Sequence, residues 1–344
     1  MNISIGIPVY NAKSYLPATV ASVISQASQT TEEVELIIVD NKSTDGTTEY
    51  LRHLENEHDL PKNLRLRIFF NNKNEGLDFS IGTIISESKG NYLWILGAQE
   101  LLMYNSLNTV LNVLSMNPWQ VVLNFEVFSE ESNLVIWKNS FNKFEDIITE
   151  NSESFYEKIG GPSLSISANI TRKSSLLEMA KNRTYSSYWG WLEFLFDVSI
   201  DPKRDGKFVF ISSPVLRVMI ESDGWQNRNQ QETGFPMYFT SIELSEIAIT
   251  KFKKFPRIKN TIGVFGNPFG CIPTILRAKR QGLRCDVKTL RRSTVAYGFT
   301  PWYWLIGLPC LLLPRGLVNG KVLEVATSAV RFTRKLKANW TEKK

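Results

Sequence analysis

The sequence predicts an α/β fold, a mostly parallel sheet flanked by helices, over its N-terminal part. Three observations predict it. Short apolar runs of strand length alternate with helical stretches over the first 100 residues. Each run ends in a polar turn cluster. The connections between runs are long enough to carry a crossover helix, which makes consecutive strands parallel with right-handed crossovers.

The elements follow in order. Ser4–Tyr10 is a short buried strand ending at a Pro-led loop, and residues 12–29 form a helix. Val34–Asp40 is a second buried strand. The cluster Asn41-Lys-Ser-Thr-Asp-Gly-Thr47 is a turn in which Ser43, Thr44 or Asp45 caps a helix over 46–57. Leu64–Phe70 is a third strand, Asn71–Gly76 a loop, and 77–88 a helix with Gly90 as its C′ residue. Tyr92–Leu96 is a fourth strand. Further on, Val121–Phe128 and Asn133–Trp137 form a hairpin and Ser163–Thr171 a strand. Residues 173–181 and 188–197 are helices, and Phe208–Ile211 and Val215–Ile220 are final strands. Ligands of parallel sheets bind at the carboxyl ends of the strands. Tyr10-Asn11, Asp40 to Asp45, Asn72 to Gly76 and Gly97 to Glu100 all fall there, so four polar loops converge on one edge.

Composition narrows the chemistry. With 43% hydrophobic and 22% charged residues the chain is an ordinary globular protein. Cys271, Cys285 and Cys310 have no paired spacing, which argues against a zinc site or disulfide framework and fits reduced thiols in a cytoplasmic protein. His53 and His58 are the only histidines and sit in a polar helical stretch as surface residues, so a His-based triad or metal site is not expected. The N-terminus has no basic n-region, and the apolar run Ile3–Val9 is short and contains a proline; no signal peptide is expected.

The net charge of +6 hides an asymmetry. From Lys251 onward 20 Lys and Arg face three acids, a net +17, whereas the first 250 residues hold 20 basic and 31 acidic residues, a net −11. The basic segment contains an uncharged run of 17 residues, Tyr297–Leu313, broken by Pro301 and Pro309 and flanked by Arg291-Arg292 and Arg315. Trp302, Tyr303 and Trp304 suit a water–lipid boundary. Over 320–340, Val322, Val325, Ala326, Ala329, Leu336 and Trp340 fall roughly on one side of a helix, and Arg331, Arg334, Lys335 and Lys337 mostly on the other. In-plane association with an anionic leaflet is the favoured reading, against a true span or a soluble hairpin. Nucleic acid is not an expected partner, because the basic residues are interleaved with apolar runs. The expected organisation is an α/β domain over 1–225, divided into halves 1–102 and 103–225, and a basic helical region over 226–344 that associates with the membrane surface.

Ile5-Gly-Ile-Pro-Val-Tyr-Asn11, Ile37-Ile-Val-Asp-Asn-Lys-Ser-Thr-Asp-Gly-Thr47 and Asn74-Glu-Gly76, in this order and spacing, resemble the opening of glycosyltransferase family 2, which has the GT-A fold. The resemblance is sharp over about 100 residues and fades by residue 225. It implies transfer of a sugar from a nucleotide-diphosphate donor to an acceptor hydroxyl, usually with inversion, as in bacterial surface-polysaccharide synthesis. By motif position, Pro8, Tyr10 and Asn11 line the nucleoside pocket, Asp40 holds the base or ribose, and Asp45 lies near the nucleotide loop. A carboxylate suits ribose hydroxyls or a uracil or thymine N–H. Asp45 is equally a turn-forming residue, and Gly76 either lets the chain approach a phosphate or only makes a turn.

The family also carries an Asp-x-Asp motif after the fourth strand, which holds Mg²⁺ or Mn²⁺ against the diphosphate. Here the segment is Leu96-Gly-Ala-Gln-Glu-Leu-Leu102, with Ala98 and Gln99 where the related branch has acids and Glu100 the acid that remains. Three outcomes stay open. Glu100 with phosphate oxygens and waters holds a metal weakly, or a Lys or Arg replaces the metal, or the protein binds donor without turnover. Lys73 is a nearby cation, though a solvated loop lysine is the plainer reading. For the acceptor side, the region Tyr188–Asp197 offers Glu193 as the base that takes the hydroxyl proton, with Asp197 as the fallback. A carboxylate amid Trp and Phe has a raised pKa. Trp189, Trp191 and Trp225 either stack on sugar faces or pack the core. The resemblance implies a lipid-linked or glycan acceptor and a cytoplasmic enzyme held peripherally on the inner face of the membrane.

Overall fold

The computed structural model describes residues 2–57, 59–129, 133–141, 143–159, 165–180 and 206–220, and in the C-terminal part 276, 287, 290, 291, 294, 304, 305, 308–318, 321 and 322. The chain forms two compact units, Met1–Ser222 and Asp223–Lys344.

The first unit begins β1 (Ile3–Val9), α1 (Leu16–Ala27), β2 (Val34–Asp40), α2 (Thr47–Glu55), β3 (Leu64–Phe70), α3 (Leu77–Glu87) and β4 (Tyr92–Ile95). It continues with β5 (Glu100–Leu102), α4 (Ser106–Leu114), β6 (Gln120–Ser129), β7 (Leu134–Trp137), β8 (Ile147–Thr149), α5 (Ser152–Ile159), β9 (Asn169–Arg172), α6 (Lys173–Ala180) and β10 (Phe208–Ile220). All ten strands join one sheet in the order β3-β2-β1-β4-β9-β6-β10-β5, with β7 on β6 and β8 on β10. The first four strands are parallel. Beyond β4 the sheet is mixed: β9 runs antiparallel to both β4 and β6, while β6 and β10 are parallel to each other.

Burial explains the strand sequences. Every residue of β2 is buried, so Val34-Glu-Leu-Ile-Ile-Val-Asp40 shows no polar alternation. β3 lies at the sheet edge, carries Arg65 and Arg67, and is covered by cations on rings, with Arg52 4.7 Å from the Phe70 centroid and Arg67 5.0 Å from Phe69. On one face of the sheet, Ile3, Ile5, Ile7 and Val9 of β1 pack with Leu16, Val20 and Val23 of α1, Leu51 of α2 and Trp94 of β4. On the other, α3 comes so close that a Cβ on Gly6 would lie 2.3 Å from Cγ2 of Ile84.

Pro8 sits inside β1 without breaking the sheet. β4 pairs with β1 only as far as Gly6, whereas β2 continues to Val9. Gly6 accepts from Leu96 on the β4 side, and Val9 from Asn41 on the β2 side. By alternation Pro8 faces the β4 side, past the end of that ladder, where no donor is needed.

At the amino edge of the strands Glu35 is fully buried, yet its carboxylate is satisfied. It accepts from Ser4 Oγ at 2.6 Å and Lys89 N–H at 2.7 Å, and Arg67 lies 3.4 Å away. Arg67 also bonds Glu87 at 2.8 Å, and Ser4 Oγ accepts from Gly90 N–H at 2.8 Å.

Several expectations are corrected. α1 starts at Leu16 rather than residue 12, because residues 12–15 form a turn and Pro17 occupies the first helical turn. Gly90 is not a left-handed C′ residue: α3 ends at an extended Ser88, and Gly90 is needed because a Cβ there would lie 2.5 Å from Ser4 N and 2.6 Å from Ile3 C. The stretch expected as one strand over Ser163–Thr171 contains a 3₁₀ turn, Ile166–Ala168, before β9. The two final strands are one, β10, with a register shift between Ile211 and Leu216. The hairpin β6–β7 is as expected. β5, α4, β8 and α5 have no counterpart in the sequence reading.

In the second unit the described residues include α7 (Leu308–Leu312) and a 3₁₀ turn, Arg315–Leu317. Leu276 and Val318 are buried in a small cluster with Cys310, Leu313 and Val322. Trp304 and Leu305 are exposed. Among the described residues no helix is long and apolar enough to cross a membrane. The expected amphipathic helix over 320–340 lies outside the described residues except at 321 and 322.

Candidate functional site

The strand order reverses between β1 and β4, where crossovers depart to opposite sides and leave a crevice beyond the carboxyl ends. The loops after β1 and β2 meet there and are stitched together. Asn11, left-handed at φ 49°, donates its N–H to Ser43 Oγ at 2.9 Å, and its Oδ1 accepts Thr44 N–H at 2.8 Å. Ala12 N–H reaches Thr47 Oγ1 at 2.9 Å, and Lys13 N–H reaches Asp45 Oδ2 at 3.0 Å. Pro8 and Tyr10 lead into this junction, both half-buried.

Both expected carboxylates are at the junction and both brace it. Asp40 is only 1% exposed. Its Oδ1 accepts from Ser43 N–H at 3.1 Å and Ser43 Oγ at 2.6 Å, and its Oδ2 from Thr48 Oγ1 at 2.5 Å. Asp45 accepts from Thr47 N–H at 3.0 Å and Thr47 Oγ1 at 2.5 Å as well as from Lys13. The N-cap of α2 is Gly46, so Asp45 takes the free helix-end N–H from one position further out than a capping side chain. Partial burial would raise the Asp45 pKa, but the bonds from Thr47 and from the Lys13 and Thr47 backbone outweigh it and hold the carboxyl below the ordinary value.

This shift gives a pH prediction. A lowered folded-state pKa means that Asp45 contributes stability above the unfolded value of about 4, and that the contribution is lost as pH falls through the folded value. Asp45→Asn is therefore expected to be less stable than wild type at neutral pH, with the difference closing in acid. Urea midpoints across pH check it, and a gap that stays constant into acid contradicts it.

Asn41 ties in the third loop. Its Oδ1 accepts from Asn71 Nδ2 and Glu75 N–H, both at 2.9 Å, and its Nδ2 donates to Asn74 Oδ1 at 2.6 Å. Gly76 follows at φ 88°, ψ 168°, a conformation reserved for glycine. A Cβ there would meet nothing within 4 Å, so backbone conformation rather than crowding requires the glycine. Lys73 is exposed and lies 3.4 Å from Glu75, a solvated loop lysine.

The β4–β5 turn closes the other side. Glu100 N–H bonds Gly97 O at 3.1 Å. The Glu100 side chain folds back, and Gly97 N–H is shared between Glu100 Oε2 at 3.2 Å and Ser167 Oγ at 3.0 Å. Burial raises the Glu100 pKa, against the lowering effect of Ser167 and of the Gly97 N–H. Ala98 packs against the core, and its carbonyl accepts from Thr19 Oγ1 at 2.8 Å. Among the described residues no three His, Cys, Asp or Glu side chains are grouped to hold a metal. One inward-bonded carboxylate does not fit a protein-built Mg²⁺ or Mn²⁺ site.

Sequence reasoning brought Pro8, Tyr10, Asn11, Asp40 and Asp45 to one place, with Gly76 and Glu100 on the flanking loops. It missed Lys13, Asn41, Ser43, Thr47, Thr48 and Ser167. The hydroxyl-rich cluster after β2 was a signal for three of these; for Ser167 there was none. Glu193 and Asp197, with Trp189, Trp191 and Trp225, lie outside the described residues.

Comparisons with known proteins agree with this architecture. The chain is 36% identical over 107 residues to the abequosyltransferase RfbV of Salmonella typhimurium, covering 31% of each protein. It is 30% identical over 115 residues to an uncharacterized glycosyltransferase of Haemophilus influenzae, covering 33% of this chain and 43% of that protein. The matches thus span less than half the length of these relatives. Among solved structures, S. aureus TarS 1-349 in complex with UDP superposes with a TM-score of 0.57 at 13% identity, over 100% of this chain and 92% of that one. The same protein in complex with UDP-GlcNAc gives 0.56 at 13% identity, over 86% and 82%. The model of the family described as glycosyl transferase family 2 matches residues 4–179, a span that runs from β1 through the stitched loops and the β4–β5 turn into α6. By that match over half of its length, the chain belongs to glycosyl transferase family 2.

Proposed function

We propose that the chain transfers a sugar from a nucleotide-diphosphate donor to an acceptor hydroxyl, with inversion, in the synthesis of a bacterial surface polysaccharide or glycan. The observation that carries this reading is the stitched pair of loops after β1 and β2 at the switch point of the sheet. The bound UDP and UDP-GlcNAc of the TarS structures and the sugar transfer named for RfbV support it. In the reaction the acceptor oxygen bonds to the anomeric carbon from the face opposite the diphosphate. The bond to the diphosphate oxygen breaks, the nucleoside diphosphate leaves with the electron pair, and Glu193 takes the hydroxyl proton, with Asp197 as the fallback base.

The net +17 of the segment from Lys251 onward fits an anionic leaflet, and a lipid-linked or glycan acceptor presented there suits it. The enzyme accordingly works in the cytoplasm, peripheral to the inner face of the membrane. Flotation with anionic vesicles is the expected outcome; RNA binding without vesicle binding reverses the assignment of the basic segment.

Ala98 and Gln99 favour a second reading, a protein that binds nucleotide sugars without turning them over. A screen of nucleotide-sugar donors for binding, followed by transfer and hydrolysis assays, separates the two. Release of a nucleoside diphosphate with formation of a glycosylated product supports transfer. Tight donor binding with no turnover on any acceptor supports the second reading.

A further inference from the structure

We infer that this protein holds its donor diphosphate without a divalent cation, and that Glu100 braces the β4–β5 turn instead of ligating metal. The inference rests on the donor-binding reading above and concerns how that site meets the diphosphate charge.

Four observations carry it. Glu100 is a strand residue, paired with Val218 across the antiparallel β5–β10 ladder, and its side chain turns back over the preceding residues. A Cβ on Gly97 would lie 3.0 Å from Glu100 Cδ and 3.2 Å from Oε1, so the glycine leaves room for the carboxyl to lie against the turn. That carboxyl accepts from Gly97 N–H, and the same N–H is shared with Ser167 Oγ, so carboxyl and hydroxyl converge on one main-chain donor of the turn. Position 98 offers no acid: Ala98 is packed against the core and its carbonyl is bonded to Thr19 Oγ1.

The other carboxylates of the site are equally committed. Asp40 is bonded by Ser43 and Thr48, and Asp45 by Lys13 and Thr47. Among the described residues, a cation entering here would find one carboxylate and would have to break its bond to Gly97 to reach it. Positive charge is present in another form. The exposed Lys13 side chain lies across Gly46, where its Nζ would be 2.7 Å from an added Cβ, at the mouth of the stitched loops. An ammonium there neutralises phosphate oxygens as a point charge, with no fixed coordination geometry.

The test uses the full chain. Mn²⁺ is titrated alone and followed by electron paramagnetic resonance. UDP, GDP, CDP and dTDP are titrated in EDTA and in Mn²⁺. The expected result is no Mn²⁺ uptake by wild type and equal affinity for the bound nucleotide in both buffers. Lys13→Ala is expected to weaken that affinity by about tenfold in EDTA.

Mn²⁺ uptake by wild type that disappears in Glu100→Gln overturns the inference, as does a gain in nucleotide affinity of about tenfold or more on adding Mn²⁺. Glu100→Gln keeps an acceptor for Gly97 N–H, so the variant is expected to fold, which its urea midpoint checks. If no nucleoside diphosphate binds in either buffer, the donor-binding reading fails, and the titrations with Mn²⁺ alone still decide the role of Glu100.

Discussion

Gly90→Ala is expected to destabilise the N-terminal unit by about 3 kcal/mol. Most glycines can take an alanine if some side chain gives way. At Gly90 the obstacles are main-chain atoms of β1: an added Cβ would lie 2.5 Å from Ser4 N and 2.6 Å from Ile3 C. The third contact, Ser4 Oγ at 2.8 Å, is itself pinned between Gly90 N–H and the buried Glu35 carboxylate. Relief therefore requires β4 to part from β1, or Glu35 to lose bonds while still buried, which is costly for a charged group. The backbone of Gly90 has an ordinary φ, so the cost is crowding and not torsional strain. Urea denaturation of wild type and variant measures it; a loss below about 1 kcal/mol would show that the two segments do not approach this closely.

Glu193→Gln is expected to lower the transfer rate by about 10²- to 10⁴-fold while leaving nucleotide-diphosphate affinity almost unchanged. Glutamine matches glutamate in shape and still accepts a hydrogen bond, but it cannot take a proton from the attacking hydroxyl. The loss should therefore appear in kcat, and the limb of the pH–rate profile that reports the base should vanish. Wild-type turnover in this variant removes Glu193 from the reaction. If Asp197→Asn then carries the loss, the base lies four residues further along the chain.

The fold was legible where local pattern and tertiary outcome coincide. β2 and β3 are seven-residue apolar or mixed runs bounded by turn clusters, and both lie where the pattern places them. Where an outcome depended on a distant neighbour, local pattern misled. Ser212-Ser-Pro214 looked like a break between two strands. In the structure Asp146 Oδ1 accepts from both the N–H and the Oγ of Ser212 at 2.8 Å, and β10 runs through with a shift in register. Gly90 at a helix end suggested a cap, and only the position of β1 reveals the crowding there.

The site divides in the same way. The motif identified Asp40 and Asp45 but not how they brace the loop they share, because Ser43, Thr47 and Thr48 read locally as turn formers. The tie between Ser167 and Gly97 spans 70 residues and joins two unrelated elements, so no spacing rule announces it.

The stitching of the β1 and β2 loops has a consequence for exchanging parts between relatives. Each loop supplies the partners that the other's main chain needs: Asn11 serves Thr44, while Ser43, Thr47 and Asp45 serve Asn11, Ala12 and Lys13. Neither loop is a portable cassette. A chimera that imports residues 10–13 without 40–48 inherits amides with mismatched acceptors, so the junction is inherited intact only when both segments travel together.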